Sequence, residues 1–164
     1  MLNKNGILKG AIAACAALAL GAGIYFFSHD NRPSVKAAGA MVEEAIKYVD
    51  EVGPEPIVQE INSGKEKRWC RGALYIFMYQ VEPRGYMIAH AVNQELVNKN
   101  LYELTDPDGK LFVKEYLDVA IKNGYSEIPF KWPNPETNEI ESKVGVCKLT
   151  KDKKYVICSG AYSK

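Results

Sequence analysis

The stretch Ala73–Gln80 reads Ala-Leu-Tyr-Ile-Phe-Met-Tyr-Gln and decides the fold class. Successive side chains of a β-strand point to opposite faces of the sheet. Alternation therefore separates an aliphatic set from an aromatic set: Leu74, Ile76 and Met78 on one face, Tyr75, Phe77 and Tyr79 on the other. Because both sets are apolar, the pattern predicts a central strand covered on both sides. The aliphatic face suits helix packing, and the aromatic face, with its phenol hydroxyls, suits either a second core layer or a ligand pocket.

Helices are predicted on the N-terminal side of this strand. Ser34 is suited to cap a helix, and apolar residues come after it at spacings of three and four: Val35, Ala38, Val42, Ala45, Ile46 and Val49. Gly53-Pro54 is a stop signal for that helix. A second, short helix is expected over Glu55–Ile61.

Further elements are predicted on the C-terminal side. They run in the order strand, loop, helix and three strands: Tyr86–His90, Ala91–Lys110, Leu111–Asn123, Glu127–Trp132, Lys143–Thr150 and Lys154–Tyr162. The inward positions expected for the helix include Leu111 and Tyr116. Strands grouped together, with helices set to one side, indicate an α+β fold with an antiparallel sheet.

The N-terminus has the pattern of an export signal. Residues 1–28 carry Lys4 and Lys9 ahead of an uncharged run from Gly10 to Phe27. Lysines before an apolar run keep that end cytoplasmic and direct the downstream part of the chain outward. The segment is predicted to be either a cleaved signal peptide or one uncleaved apolar anchor helix, with lipidation at Cys15 as a third alternative. Residues 29–33 are then a linker, and the rest of the chain is extracytoplasmic.

Export places the remaining cysteines in an oxidising compartment. The polar turn Lys151-Asp152-Lys153-Lys154 joins two predicted strands. A four-residue loop there pairs Thr150 with Tyr155 and Cys147 with Cys158. The two sulfurs then face each other across a hairpin, and we expect either a Cys147–Cys158 disulfide or two small buried apolar side chains.

The composition is that of a globular protein and argues against nucleic-acid binding. The chain has 164 residues, a formal net charge of +1 and 25% charged residues. This is the balance of one globular domain, and no nucleic-acid partner is expected because phosphate binding needs a strongly basic face.

Several short blocks carry a resemblance to a known family. They are Leu74-Tyr75-Ile76-Phe77, Ile88-Ala89-His90, Asn98-Lys99-Asn100-Leu101, Asp106-Pro107-Asp108-Gly109-Lys110, Phe112-Val113-Lys114-Glu115 and Lys131-Trp132-Pro133-Asn134-Pro135. In their order and spacing these blocks resemble the single Cache sensor domain, in its type-2 branch. The resemblance assigns residues 34–164 to one such domain. It implies a PAS-like five-stranded antiparallel sheet with a long N-terminal helix packed on it. It also implies an extracytoplasmic pocket for a small molecule, often a short organic acid.

The resemblance also implies which residues hold the ligand. They are Tyr75, Phe77, His90, Lys131 and Trp132. In a carboxylate pocket Lys131 would be the charge partner, His90 and Tyr75 the donors, and the other two the walls. Alternation adds a limit, because Lys131 and Trp132 cannot both point into one pocket from a regular strand.

The function expected from these features is binding without catalysis. No nucleophile turn or metal-ligand spacing is recognisable in the sequence, so neither an enzyme nor a cofactor is expected. Cache domains usually sit between two membrane spans of a chemoreceptor or histidine kinase, whereas this sequence stops at Lys164. We therefore expect an exported, stand-alone protein that binds a small molecule for sensing, with a membrane receptor or kinase as partner. The alternative is an envelope accessory protein that docks a partner and keeps only a vestigial pocket.

Overall fold

The computed structural model describes residues 32–65 and 67–163. The predicted export segment, residues 1–28, lies outside this part of the chain. Within the described ranges, no helix is long and apolar enough to cross a membrane.

Three α-helices form where the sequence predicts them. They are α1, Val35–Val52; α2, Pro54–Ser63; and α3, Phe112–Asn123. The side chain of Ser34 caps α1 by accepting a hydrogen bond from the backbone N–H of Ala37 at 3.1 Å. Gly53 ends α1 with a φ of 87°, a conformation that glycine adopts without steric penalty.

The strands build one five-stranded sheet and one small hairpin. In chain order they are β1, Cys70–Arg71; β2, Leu74–Tyr75; β3, Phe77–Gln80; β4, Met87–His90; β5, Tyr125–Pro133; β6, Ile140–Leu149; and β7, Tyr155–Ser163. Strands β1 and β2 form the hairpin, and the sheet has the order β4-β3-β7-β6-β5 with every neighbouring pair antiparallel. The predicted α+β architecture, with a long helix packed on a five-stranded antiparallel sheet, is confirmed.

The two faces of Ala73–Gln80 separate as the alternation predicts. Leu74, Ile76 and Met78 are buried in a core that includes the apolar stripe of α1 and residues of α2. Tyr75, Phe77 and Tyr79 are buried on the opposite side, against α3 and the loop that precedes it. Helices α1 and α2 therefore cover the aliphatic face of the sheet. Helix α3 and the loop that precedes it cover the aromatic face.

Two details differ from the sequence prediction. The stretch 73–80 is divided at Ile76, whose backbone N–H donates to the carbonyl of Trp69 and whose carbonyl accepts from Ala91. The rest of the stretch, β3, is an interior strand between β4 and β7, as predicted for a central strand. Leu111, expected to point inward, is 41% exposed because α3 begins one residue later, at Phe112.

The C-terminal hairpin has the predicted register. Leu149 lies opposite Val156, and Cys147 lies opposite Cys158. The two cysteines form a disulfide with a Cα–Cα distance of 4.1 Å, and both are fully buried on the aromatic side of the sheet. This bridge ties β6 to β7 directly beneath the aromatic core.

Non-reducing tryptic digestion tests this bridge. Cleavage after the surrounding lysines should leave the peptide 144–148 joined to the peptide 155–164, and reduction should separate them. A peptide 144–148 whose cysteine is alkylated without reduction, or is joined to a peptide that contains Cys70, would contradict the pairing.

Candidate functional site

The candidate site is a cavity enclosed by the aromatic face of the sheet, by α3 and by the loop that precedes α3. Its volume is about 20 Å³, which is room for roughly one water molecule. Aromatic rings form most of the wall: Tyr75, Phe77, Tyr79, Phe112, Tyr116, Phe130 and Trp132. The remaining lining residues are aliphatic, apart from His90 and Lys143. A small number of polar groups in an apolar wall is typical of small-molecule sites.

The structure brings together most of the residues that the sequence analysis proposed. Tyr75, Phe77, His90 and Trp132 all line the cavity. Lys131 does not, because alternation along β5 turns its side chain to the solvent side while Trp132 points inward. Its ammonium pairs with the carboxylate of Asp108 at 2.9 Å, and the side chain is 46% exposed. The structure therefore places the predicted charge partner outside the cavity.

The lysine that lines the cavity is Lys143, on β6. It is 1% exposed. Its Nζ donates to the hydroxyl of Tyr75 at 2.7 Å and to that of Tyr162 at 3.3 Å. Nζ also lies 3.9 Å from the ring centroid of Tyr75 and 4.6 Å from that of Tyr162. Two neutral oxygens and two aromatic faces thus surround this nitrogen.

Gly160 makes room for the lysine chain. Gly160 lies on β7, and a Cβ atom added there would sit 2.5 Å from Cε of Lys143 and 2.8 Å from the carbonyl oxygen of Val144. Both distances are below ordinary van der Waals contact. The missing side chain at Gly160 therefore lets Lys143 lie across β7 towards Tyr75.

Within the described residues, Lys143 forms no salt bridge. Glu141, two residues earlier on the same face of β6, is already engaged: its carboxylate pairs with Arg32 at 2.6 Å and accepts from Asn134 and Thr137. Burial without a counter-charge lowers the pKa of Lys143 well below its usual range.

His90 is held as a neutral donor at the edge of the cavity. Its Nδ1 accepts the backbone N–H groups of Val92 at 3.2 Å and Asn93 at 2.9 Å. Burial, together with the nearby charge of Lys143, lowers the pKa of His90 to about 3. With Nδ1 acting as acceptor, the ring proton lies on Nε2.

The buried hydroxyls form two groups. Tyr75 and Tyr162 are 3.1 Å apart, and the hydroxyl of Tyr162 donates to the carbonyl of Pro133 at 2.8 Å. Tyr79 and Tyr116 share a hydrogen bond of 2.5 Å. Burial raises the pKa of all four phenols, so each remains protonated at neutral pH. In the first group, Lys143 donates to Tyr75, Tyr75 donates to Tyr162, and Tyr162 donates to the carbonyl of Pro133.

Sequence reasoning missed Lys143 and Tyr162, although a signal for both was present. Cys147 was placed opposite Cys158, and each is an even number of residues from one missed position: Lys143 and Tyr162 respectively. Residues separated by an even number share a face of a regular strand. Once the cysteines are placed beneath the aromatic core, alternation puts Lys143 and Tyr162 on that same side.

Comparison with known protein families gives a direct result. The family model for the Cache domain matches residues 37–164. The chain belongs to the Cache domain family. This confirms the family resemblance carried by the sequence blocks.

Solved structures with this fold include sensor domains of chemotaxis proteins. A methyl-accepting chemotaxis protein from Vibrio parahaemolyticus superimposes with a TM-score of 0.58 at 23% identity, over 77% of this chain and 86% of that one. A periplasmic sensor domain of a chemotaxis protein gives 0.59 at 22% identity, over 79% and 90%. A structure described as the basis for carboxylic acid recognition by a Cache chemosensory domain gives 0.58 at 19% identity, over 75% and 84%. These likenesses concern the fold.

One curated relative is the methyl-accepting chemotaxis protein McpP of Pseudomonas putida. The chain is 28% identical to it over 88 residues, which are 54% of this chain. The matched segment spans 16% of the length of that relative.

Replacing Lys143 by methionine tests its buried, unpaired state. The unfolded chain holds the lysine proton up to a pH of about 10.4, whereas the folded chain releases it at lower pH. Stability therefore rises with pH between the lowered pKa and the unfolded value. Lys143→Met should remove this rise, and at pH 7 we expect it to increase the free energy of unfolding by about 1 kcal/mol or more.

The measurement is urea unfolding between pH 6 and pH 10. Lys131→Met is the matched control, because its exposed ion pair is worth at most about 1 kcal/mol. A Lys143→Met protein that is destabilised by the same amount at every pH would contradict this description of Lys143.

Proposed function

We propose that this Cache domain is a sensor module that binds a short organic acid in the aromatic cavity, with Lys143 as the charge partner of the carboxylate. Tyr75 and the Nε2–H of His90 supply further polar contacts. Phe77 and Trp132 are walls that keep water from the ion pair.

The observation that carries this proposal is the buried amine of Lys143. An isolated ammonium in an apolar interior is strongly destabilised unless an opposite charge accompanies it. Residues 32–65 and 67–163 supply two phenol oxygens and aromatic faces but no carboxylate in an ion pair with it. A ligand carboxylate would supply the missing charge, and charge-assisted hydrogen bonds are stronger than neutral ones.

The size of the cavity limits any ligand to a short one. A volume of about 20 Å³ takes only about one water molecule, so even a small acid requires the wall to move outward. The loop between β4 and α3 has a single short 3-10 turn, Gln94–Leu96, among its described elements. We propose that this loop moves to admit the ligand while the sheet stays fixed.

Several observations support an extracytoplasmic setting. The Cys147–Cys158 disulfide suits an oxidising compartment, and one structural neighbour is a periplasmic sensor domain. We propose that residues 1–28 export the chain and either are cleaved or anchor it. A chemotaxis-type membrane receptor or a kinase is the proposed signalling partner, and no catalytic step is assigned to the domain.

A second candidate is the accessory role with a vestigial pocket, and the small cavity favours it. The two functions differ in one measurable respect. A vestigial pocket predicts that no small molecule stabilises the protein, whereas a sensor predicts stabilisation by a defined chemical class.

A thermal-shift and calorimetric screen of the full chain tests the proposal. Acetate, propionate, lactate and pyruvate are the test ligands, with acetamide and propylamine as uncharged and cationic controls. We expect one or more of the acids to stabilise the protein, because each supplies the anion that Lys143 requires. The amide and the amine should have no effect.

Two variants identify the charge partner. Lys143→Met should remove about 2–5 kcal/mol of binding free energy, as expected when one partner of a buried charge pair is lost. Lys131→Met should bind like the original protein, because Lys131 lies outside the cavity. The proposal fails if no acid binds, or if Lys143→Met binds the acids with unchanged affinity.

A further inference from the structure

We infer that binding of a carboxylate is coupled to the uptake of one proton by Lys143, so that the affinity of the site falls as pH rises. This inference rests on the proposed function and concerns the regulation of the same site. It depends on the groups that face Lys143 from each neighbouring element.

None of the groups that face Lys143 from the neighbouring strands is an anion. Tyr75 faces Lys143 from β2, Tyr162 from β7 and His90 from β4. The phenols are protonated because burial raises their pKa, and His90 is neutral with its proton on Nε2. On the Lys143 strand itself, the nearest same-face carboxylate, Glu141, is paired with Arg32.

The elements that close the rest of the cavity supply no anion either. Helix α3 contributes Tyr116, which is bonded to Tyr79 from β3, and burial raises the pKa of both phenols. On β5, the ionisable side chain next to the cavity residue Trp132 is Lys131, and it pairs with Asp108 at the surface. The loop before α3 lines the cavity with Leu96, Leu101 and Leu104, so among the described residues the lining carries no negative charge.

Without a ligand carboxylate, burial favours the neutral amine of Lys143 over the ammonium. Tyr75 accommodates both protonation states by rotation of its hydroxyl. When Lys143 is an ammonium, the Tyr75 oxygen accepts from Nζ and its proton goes to Tyr162, 3.1 Å away. When Lys143 is an amine, the Tyr75 proton can instead be donated to Nζ at 2.7 Å. In both states Tyr162 donates to the Pro133 carbonyl.

Binding then adds one proton from the solvent. A short organic acid has a pKa near that of aspartate, about 4, and is a carboxylate above pH 6. A carboxylate, a neutral lysine amine and one solvent proton combine into a carboxylate–ammonium pair. One N–H bond forms, and no electron is transferred.

Because binding takes up one proton, the affinity for the acid falls as the pH rises. Between the pKa of Lys143 in the empty site and its higher pKa in the occupied site, each unit of pH should weaken binding tenfold. Below that window Lys143 is already charged, and the affinity should not depend on pH.

Isothermal titration calorimetry of the full chain with sodium propionate and sodium acetate tests the inference. At pH 8.0, the titrations are run in HEPES and in Tris, whose ionisation enthalpies differ. The difference in observed enthalpy should correspond to the uptake of about one proton per bound acid. Repeating the titrations from pH 6 to pH 9 should show the dissociation constant rising by up to tenfold per unit.

Lys131→Met is the control and should show the same proton uptake and the same pH dependence. Binding with no proton uptake and a constant affinity from pH 6 to pH 9 would overturn the inference while leaving the proposed carboxylate site in place. Absence of binding and of any thermal shift with all four acids (acetate, propionate, lactate and pyruvate) at every one of these pH values would overturn both.

Discussion

The burial of one lysine amine is the constraint on which the site depends. Alternation along β6 places Lys143 on the covered face of the sheet, where water cannot solvate its charge. Three features of the surrounding structure accommodate the amine. Gly160 leaves room for the lysine side chain, the hydroxyls of Tyr75 and Tyr162 form hydrogen bonds with Nζ, and the rings of the two tyrosines lie against Nζ. These contacts accommodate the amine, and a carboxylate would complete them.

The two faces of the sheet have different roles: one packs against helices, and the other lines the cavity. Helices α1 and α2 cover the aliphatic face, and this packing holds the sheet without using any cavity residue. The aromatic face is closed by α3 and a loop with little regular structure. In the proposed function, binding on that face would therefore alter the loop and leave the helix-covered core unchanged. The backbone N–H of His90 donates to the side chain of Asn62 on α2, which links the cavity to the helical side at one point.

The sequence was sufficient for the fold and for four of the residues that line the cavity, Tyr75, Phe77, His90 and Trp132. Alternation in Ala73–Gln80 depends only on neighbouring residues, and it separated the two faces correctly. The identity of the cavity cation was not predictable in the same way. Lys131 and Lys143 lie on opposite sides of a turn between β5 and β6, and only the register with the cysteines tells which one faces inward. Leu111 was misplaced because a helix boundary moved by one residue.

The most direct test of the buried lysine as a carboxylate partner is a crystal structure of the protein with a short carboxylate bound. We expect a carboxylate oxygen to lie within hydrogen-bond distance, about 2.7–3.0 Å, of the Lys143 Nζ. We also expect the loop between β4 and α3 to be displaced outward, with the sheet unchanged. A carboxylate bound to Lys131 at the surface, or bound in the cavity without contact to Lys143, would contradict this role of Lys143.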